Sequence, residues 1–202
     1  MARTQAPEFE ERRERIVERA AELFGERGFL GASIADLAEL CQTSKSLIYH
    51  YFAAKEDILF EVMHSHVAAL LEAAEAIMAR PRGPREKLDE ITRAFLSLYV
   101  GAAPRHKVLL NELKHLPPER RATIIRIQRR LVAIVENIVG DIQPALARPA
   151  PLALPTAMLY FGMINWTHTW LNPQGPATPK QIAETATAIF LDGIIALEPA
   201  KD

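Results

Sequence analysis

Apolar residues recur every three or four positions along most of the chain, which is the spacing of amphipathic helices. The first stripe, which Gly25 or Gly28 could terminate, consists of Ile16, Val17, Ala20, Ala21 and Phe24. Comparable stripes predict helices over residues 34–41, 56–78, 88–99, 109–116, 118–140, 155–171 and 179–197. No run alternates apolar and polar residues with period two between turn signals. The pattern predicts an all-α fold of about nine helices.

The segment LIYHYF, residues 47–52, is rich in aromatic and β-forming side chains and would favour a strand in isolation. Its neighbours favour a helix instead. Ser33 can cap one short helix, the sequence CQT makes a three-residue turn, and Ser44 or Thr43 can cap the next helix. Two short helices joined by such a turn form a helix-turn-helix, whose second helix enters the major groove of DNA.

The second helix of this motif has two distinct faces. Ile48 and Phe52 lie four residues apart and are expected in the core beside Leu37. The outer face is left with Lys45, Ser46, Tyr49 and His50. Lys45 and Lys55 are the only charged residues between 40 and 55, so this surface is expected to be basic.

Composition narrows the class of protein. The 202 residues are 49% hydrophobic and 24% charged, with a formal net charge of −1, as in ordinary globular chains. Cys41 is the single cysteine, which excludes an intramolecular disulfide framework and a four-cysteine zinc site. No signal peptide and no apolar run long enough to span a bilayer is found, so we expect a cytoplasmic protein with no membrane partner.

Catalysis is not expected from this sequence. It contains no GxSxG or HExxH motif, no phosphate-cradling glycine loop and no paired cysteines. His64 and His66 are two residues apart, which puts them on different faces of a helix and makes them a poor metal pair. We therefore predict no catalytic residue, no metal site and no cofactor.

The positive charge is concentrated in the middle of the chain. Residues 105–135 hold eight Lys or Arg against two Asp or Glu, a net +6, whereas the rest of the chain is net acidic. One interpretation is a solvated helix face. The other is a binding surface for a polyanionic ligand tail, such as the phosphates of coenzyme A.

The stretch RIVERAAELFGERGFLGASIADLAELCQTSKSLIYHYFAAKEDILFEVM closely resembles the N-terminal domain of the TetR family of bacterial repressors. Residues 9–69 carry the resemblance, and it predicts a DNA-binding domain over 9–69 and a ligand-binding and dimerisation domain over 70–202. It implies a homodimer that binds a palindromic operator of double-stranded DNA and releases it when a small effector binds. Carried over by position, the DNA-contacting residues are Ser33, Ile34, Ser44, Lys45, Ser46, Leu47, Tyr49, His50, Tyr51 and Lys55, the last matching the family's phosphate contact.

Three positions depart from the usual family pattern. Gln42 stands where glycine is common, so a non-glycine residue is expected to adopt a positive φ. Ala54 replaces the polar residue that usually caps the next helix. Leu47 replaces a frequent threonine, which favours an apolar contact, for example to a thymine methyl group, over a hydrogen bond.

The C-terminal part carries a second, weaker resemblance. The segment NWTHTWLNPQG, the later TPKQIAETATAIFLDGI and the earlier LPPERR resemble the TetR-like regulators that respond to acyl-CoA thioesters. Trp166 and Trp170 lie four apart on the predicted helix, where they could line an apolar pocket or pack in the core or a dimer interface. The candidate effector-binding residues are Phe95, Leu98, Tyr99, Leu110, Leu113, Arg121, Arg129, Phe161, Asn165, Trp166 and Trp170.

Family resemblance also assigns the helices over 155–171 and 179–197 to a four-helix dimer interface. Two other hypotheses remain open. A multidrug-type repressor of an efflux system would sense lipophilic or cationic compounds through buried carboxylates. A redox sensor built on Cys41 is conceivable, although a small residue at that turn normally packs.

Overall fold

The computed structural model describes residues 5–147 and 152–197, with side chains from Glu8 onward. Nine α-helices and no strand occur in these residues, which confirms the all-α prediction. The helices are α1 Gln5–Gly31, α2 Ile34–Leu40, α3 Lys45–Tyr51, α4 Lys55–Met78, α5 Pro84–Gly101, α6 Ala103–Asn111, α7 Pro118–Ile142, α8 Ala153–Asn165 and α9 Pro179–Ala196. Short 3₁₀ turns cover Leu113–His115, Pro144–Leu146 and Trp166–Thr169.

The chain forms two compact units. The N-terminal unit consists of Met1–Val67 with Pro104–Ile125, and the C-terminal unit of Ala68–Ala103 with Arg126–Asp202. Helices α4 and α7 each contribute residues to both units. The stretch 104–125 therefore shares a unit with the helix-turn-helix.

Capping fixes where several helices begin. The Thr178 hydroxyl accepts a hydrogen bond from the Gln181 N–H, and the Gln181 side chain accepts one from the Thr178 N–H, so the predicted capping box opens α9. Helix α4 begins without a side-chain cap at Ala54. The Asp57 carboxylate instead accepts a hydrogen bond from the Ala54 N–H at 2.9 Å, which satisfies one of the free donors at that end.

Helix α1 is interrupted at one glycine, as the sequence suggested. Gly28 adopts φ 73° and ψ 161°, outside the helical region, before the chain turns toward α2. A residue with a side chain would be strained there, because a positive φ is easily adopted only by glycine. The break lets Phe29 turn into the core, where it is 4% exposed.

The predicted helix over 155–171 is wrong at its end. Helix α8 stops at Asn165, and a 3₁₀ turn follows. The hydroxyls of Thr167 and Thr169 donate to the carbonyls of Ile164 and Trp166 at 2.6 and 2.8 Å, which competes with continued α-helix. Trp166 and Trp170 consequently do not share one α-helical face.

No described helix combines the length and apolarity needed to cross a lipid bilayer.

Candidate nucleic-acid interface and effector region

Helices α2 and α3 form the predicted helix-turn-helix. Ser33 caps α2: its hydroxyl accepts from the Asp36 N–H at 3.1 Å, and the Asp36 carboxylate accepts from the Ser33 N–H at 2.8 Å. The Ser33 hydroxyl also donates to the Asp36 carboxylate at 2.5 Å, and this hydrogen bond, followed by the one from the Ser33 N–H, lowers the pKa of Asp36 below its ordinary value. Ser44 caps α3 by accepting from the Leu47 N–H at 3.2 Å. Side-chain caps at both helices explain why residues 47–51 of the strand-like segment are helical.

A backbone hydrogen bond closes the turn between the two helices. The Thr43 N–H donates to the Ala38 carbonyl at 2.9 Å. Gln42 has φ 52°, which confirms the expected left-handed conformation at a non-glycine residue. Leu37 and Ile48 are fully buried on either side of the turn, so the two helices pack through the positions that periodicity assigned to the core.

The outer face of α3 is exposed to solvent. Ser44, Lys45, Ser46, Tyr49 and His50 are exposed, and Tyr49 retains 52% of its accessible surface. Leu47 is half-buried, and so is Ile34 at the start of α2, while the capping residue Ser33 is exposed. These side chains can therefore reach a partner that approaches α3.

One aromatic residue that sequence reasoning missed supports the end of α3. Phe9 of α1 packs on Tyr51 with ring centroids 4.5 Å apart and meets the edge of His50 at 6.1 Å. Tyr51 is half-buried as a result. No local motif signals this contact, because Phe9 and Tyr51 are far apart in the chain.

Lys55, the expected phosphate contact, has internal partners. Its ammonium donates to the backbone carbonyls of Phe29 and Ala32 and lies 4.2 Å from the centroid of the Phe29 ring. Burial lowers the pKa of Lys55 below its ordinary value. This arrangement joins the start of α4 to the connection between α1 and α2.

The stretch 104–125 is anchored to that same connection. The Glu112 carboxylate accepts from the Phe29 N–H at 3.2 Å, and His115 stacks on the Phe29 ring with centroids 5.6 Å apart. His115 Nε2 lies 3.4 Å from Glu112. The half-buried Leu110, Leu113 and Arg121 also belong to this stretch, so these three candidate effector residues lie in the N-terminal unit.

Four of the predicted effector-binding residues meet in the C-terminal unit. Phe95 stacks with Tyr99 and Phe161, with centroids 6.2 Å apart in each case. The Tyr99 hydroxyl donates to the Asn165 side-chain oxygen at 2.8 Å. Burial raises the pKa of Tyr99 well above its ordinary value, so this hydroxyl stays a donor.

Other members of the predicted set are not part of that cluster. Trp166 and Trp170 are 64% and 53% exposed, and Arg129 is exposed on α7. Leu98, on α5 between Phe95 and Tyr99, is half-buried. The two tryptophans therefore belong to an exposed surface in the isolated chain.

A groove that the sequence did not predict lies elsewhere in the C-terminal unit. Its volume is about 970 Å³, which is within the range of small-molecule sites. It carries the carboxylates Glu136 and Asp141, and the rest of its lining comprises Met78, Asn137, Gly140, Ala147, Ala153, Leu154 and Pro155. Among the described lining residues, the charged side chains are these two carboxylates.

The mid-chain arginines are partly neutralised by ion pairs. Arg105 pairs with Glu14, Arg120 with Asp57, and Arg130 with Glu75. Arg120 also lies 5.2 Å from the centroid of the Phe60 ring. Part of the net +6 thus has a structural role, while no ion pair of Arg121 or Arg129 is found among the described side chains.

An apolar surface runs along α8 and α9. Both helices present large side chains to solvent, among them Leu154, Met158, Leu159, Ile189 and Ile195, each more than 40% exposed, and Trp166 in the turn after α8 is exposed as well. Gly162 and Gly193 are exposed on the same helices, and a Cβ built at either position meets no atom within 4 Å. A monomer rarely leaves so much apolar surface uncovered.

Comparison with known proteins identifies the family. Residues 16–62 match the family described as bacterial regulatory proteins, tetR family, and residues 81–194 match the tetracyclin repressor-like C-terminal domain. A TetR-family regulator from Bordetella parapertussis is 38% identical, with a TM-score of 0.86 over 93% of this chain and 98% of that one. AibR, solved with isovaleryl coenzyme A and operator DNA, is 28% identical, with a TM-score of 0.77 over 88% of this chain and 97% of AibR.

The curated relatives agree with the structural ones. The transcriptional repressor KstR2 of Mycobacterium tuberculosis is 26% identical over 188 residues, which are 91% of this chain and 92% of KstR2. Proteins of this kind are DNA-binding transcription factors and not enzymes. The chain belongs to the TetR family of bacterial transcriptional regulators.

Proposed function

We propose that this protein is a repressor that binds a palindromic operator as a homodimer and leaves it when an acyl-CoA thioester binds. The observation that carries the DNA-binding part is the outer face of α3, where Lys45, Ser46, Tyr49 and His50 are exposed on a helix capped by Ser44. These side chains include donors and acceptors suited to base edges and phosphates.

The dimer supplies the affinity that one short helix cannot. A single recognition helix makes few base contacts, whereas two copies read two half-sites about one DNA turn apart. The exposed apolar surface of α8 and α9 supports their use as the dimer interface. Operator release is then a change in the spacing of the two α3 helices.

The effector acts by population shift. Helix α4 contributes residues to both units, so a ligand that changes its tilt changes the placement of α3. The ligand shifts the equilibrium only by its difference in affinity for the two arrangements. The Phe95, Tyr99, Phe161 and Asn165 cluster offers an apolar wall with a polar pair for the acyl part.

Two observations support coenzyme A as the group that carries the acyl chain of the effector. They are the positive charge of α7 and the similarity to AibR. Arg121 and Arg129 remain available for phosphate groups after the ion pairs of Arg105, Arg120 and Arg130 are discounted. AibR, with the same fold, is described with isovaleryl coenzyme A. These two facts favour a thioester over an uncharged ligand.

A thermal-shift measurement tests the effector class. The purified protein is heated with free coenzyme A, with a panel of acyl-CoA thioesters and with a panel of cationic drugs. At a hundredfold excess over its Kd, a ligand stabilises the folded protein by about 2.7 kcal/mol. Stabilisation confined to acyl-CoA thioesters supports the proposal, and none with any thioester contradicts it.

Two substitutions test whether Arg121 and Arg129 bind the phosphate groups of the acyl-CoA effector. Arg121→Ala and Arg129→Ala are expected to weaken acyl-CoA-induced release of a fluorescent operator duplex while leaving operator affinity unchanged. Arg85→Ala is the matched control, since Arg85 is exposed on α5 outside the basic stretch. An equal fall in operator affinity would refute the assignment of these charges to the effector.

The groove lined by Glu136 and Asp141 favours a second candidate function. Carboxylates in a groove of about 970 Å³ suit a cationic lipophilic compound better than coenzyme A. The protein would then be a multidrug-type repressor of an efflux system. Stabilisation by cationic drugs that is lost in Glu136→Gln would favour this function over the acyl-CoA one.

A further inference from the structure

The N-terminal unit contains a recess between α1 and the turn of the helix-turn-helix. Its volume is about 320 Å³, and its lining comprises Arg12, Arg15, Ile16, Cys41, Gln42, Thr43 and Leu47. Leu47 and Thr43 join it directly to the start of α3. Among the side chains that the structure describes, no carboxylate belongs to this lining.

The arginines of the recess are not used for packing. Arg12 is exposed, and the Arg15 side chain is 62% exposed. Arg15 contacts Glu11 at 3.5 Å, an exposed pair in one helix that contributes little and leaves the guanidinium able to move. Arg13, on another face of α1, differs: its guanidinium pairs with Glu61 at 2.5 Å.

Positive charge continues along this face of α1. Arg12, Arg15 and Arg19 recur every three or four residues. Arg19 also pairs with Glu22 at 2.8 Å. Glu8 and Glu18 lie one helical turn from Arg12 and Arg15 on α1, and neither they nor Glu11 and Glu22 belong to the lining of the recess.

The internal contacts of Lys55 leave fewer cations of the motif for phosphate groups. The ammonium of Lys55 is committed to the carbonyls of Phe29 and Ala32, which leaves Lys45 as the exposed lysine of the motif. Affinity for DNA depends largely on cations that neutralise phosphates. The exposed guanidinium groups of Arg12 and Arg15, beside the turn, can neutralise phosphates in this way.

We propose that Arg12 and Arg15 of α1 bind phosphate groups of the operator backbone next to the α2–α3 turn. With α3 in the major groove, the turn at its start faces the sugar-phosphate chain that borders the groove. Planar guanidinium groups suit phosphate oxygens, and Thr43 lines the same recess as the two arginines. The proposal rests on the DNA-binding function above and adds α1 to the contact surface.

The test uses salt dependence, which counts phosphate contacts. Binding of full-length dimer to its operator, recovered by selection from a random duplex library, and to a scrambled duplex is measured by anisotropy at several salt concentrations. Because the dimer carries each arginine twice, Arg12→Ala and Arg15→Ala are each expected to remove two phosphate contacts and to reduce the slope of log K against log salt by about 1.8 on both duplexes. Arg85→Ala, the matched control, is expected to keep the wild-type slope.

Two further measurements guard against an effect of misfolding. Glu11→Gln removes a negative charge beside the recess and is expected to strengthen binding to both duplexes, which a folding defect would not do. Cys41 lines the recess and is the single cysteine, so duplex DNA is expected to slow its alkylation. Weaker binding by Glu11→Gln, or alkylation unaffected by DNA, would contradict the proposal.

The outcomes separate this proposal from the general function. If wild-type protein binds no duplex, the DNA-binding function itself fails. If wild-type protein binds and both arginine variants keep its slope, only the role of α1 is refuted. A loss confined to the operator, with the scrambled duplex unaffected, would also refute phosphate binding, because phosphate contacts do not depend on sequence.

Discussion

Gln42 holds the turn of the helix-turn-helix in a conformation that its side chain disfavours. Its φ of 52° lies in the left-handed region, which costs a non-glycine residue about 1–2 kcal/mol. Glycine avoids this cost but loses more entropy on folding. We expect Gln42→Gly to raise the free energy of unfolding in urea by roughly 0.5–1 kcal/mol. Gln42→Ala should give no such gain, and a destabilised glycine variant would contradict the interpretation.

Lys55 is expected to stabilise the fold through its ammonium. Lys55→Met keeps the aliphatic stem but leaves the carbonyls of Phe29 and Ala32 without this donor. We expect a loss of about 1–2 kcal/mol in the free energy of unfolding. The control Lys45→Met, on the exposed face of α3, should change it by less than about 0.5 kcal/mol. Equal stability of the two variants would show that the ammonium contacts are weak.

At the scale of elements, α4 and α6 meet through two buried imidazoles. His66 is 2% exposed and its Nε2 lies 3.1 Å from Nδ1 of His106, which is 1% exposed. Burial, and then the positive charge of Arg105, lower the pKa of His66 from 6.5 to about 4. Protonation of His66 is therefore easier in the unfolded chain.

The pKa of His66 is lower in the folded than in the unfolded chain, which makes the contact between α4 and α6 sensitive to acid. Because the unfolded state binds the proton first, stability is complete above pH 6.5 and falls as the pH drops toward 4. The loss from His66 reaches about 3 kcal/mol near pH 4. Urea unfolding at a series of pH values should show a flatter profile for His66→Gln than for wild type. His64→Gln, two residues away and half-buried, should keep the wild-type profile.

The local sequence pattern was sufficient to predict most helices. It failed where side-chain hydroxyls compete with backbone N–H groups for the carbonyls of a helix. The caps at Ser33, Ser44 and Thr178 were readable, so α3 was predicted as a helix despite its composition. The end of α8 was not readable from the sequence, because the hydrogen bond from the Thr167 hydroxyl to the Ile164 carbonyl determines where the helix stops. The site was predictable only in part, since the approach of Phe9 to Tyr51 involves no local signal.

Long-range contacts explain why the compact N-terminal unit differs from the predicted N-terminal domain. The predicted boundary at residue 69 follows the sequence resemblance, whereas the compact N-terminal unit also contains 104–125. The contact of Glu112 with the Phe29 N–H joins residues 83 positions apart, and periodicity carries no information on such pairs. The same holds for the groove at Glu136 and Asp141, whose lining comes from several separate segments.

For the whole molecule, the decisive question is whether α8 and α9 pair with a second copy. Gly162 and Gly193 are exposed on these helices, and added side chains would meet no atom of the same chain within 4 Å. Leucine also favours a helix over glycine by roughly 0.8 kcal/mol. Gly162→Leu and Gly193→Leu should therefore leave each protomer at least as stable while obstructing close approach of a partner.

Gly101 at the end of α5 offers a matched control, because it is exposed and a Cβ there also meets nothing within 4 Å. Sedimentation equilibrium should show the dimer dissociation constant raised at least about tenfold, or 1.4 kcal/mol, in the Gly162 and Gly193 variants. Gly101→Leu should dimerise as wild type does. Operator affinity should fall in parallel with dimerisation, since each half-site is read by one copy of α3. Variants that still dimerise normally would move the interface away from this face of α8 and α9.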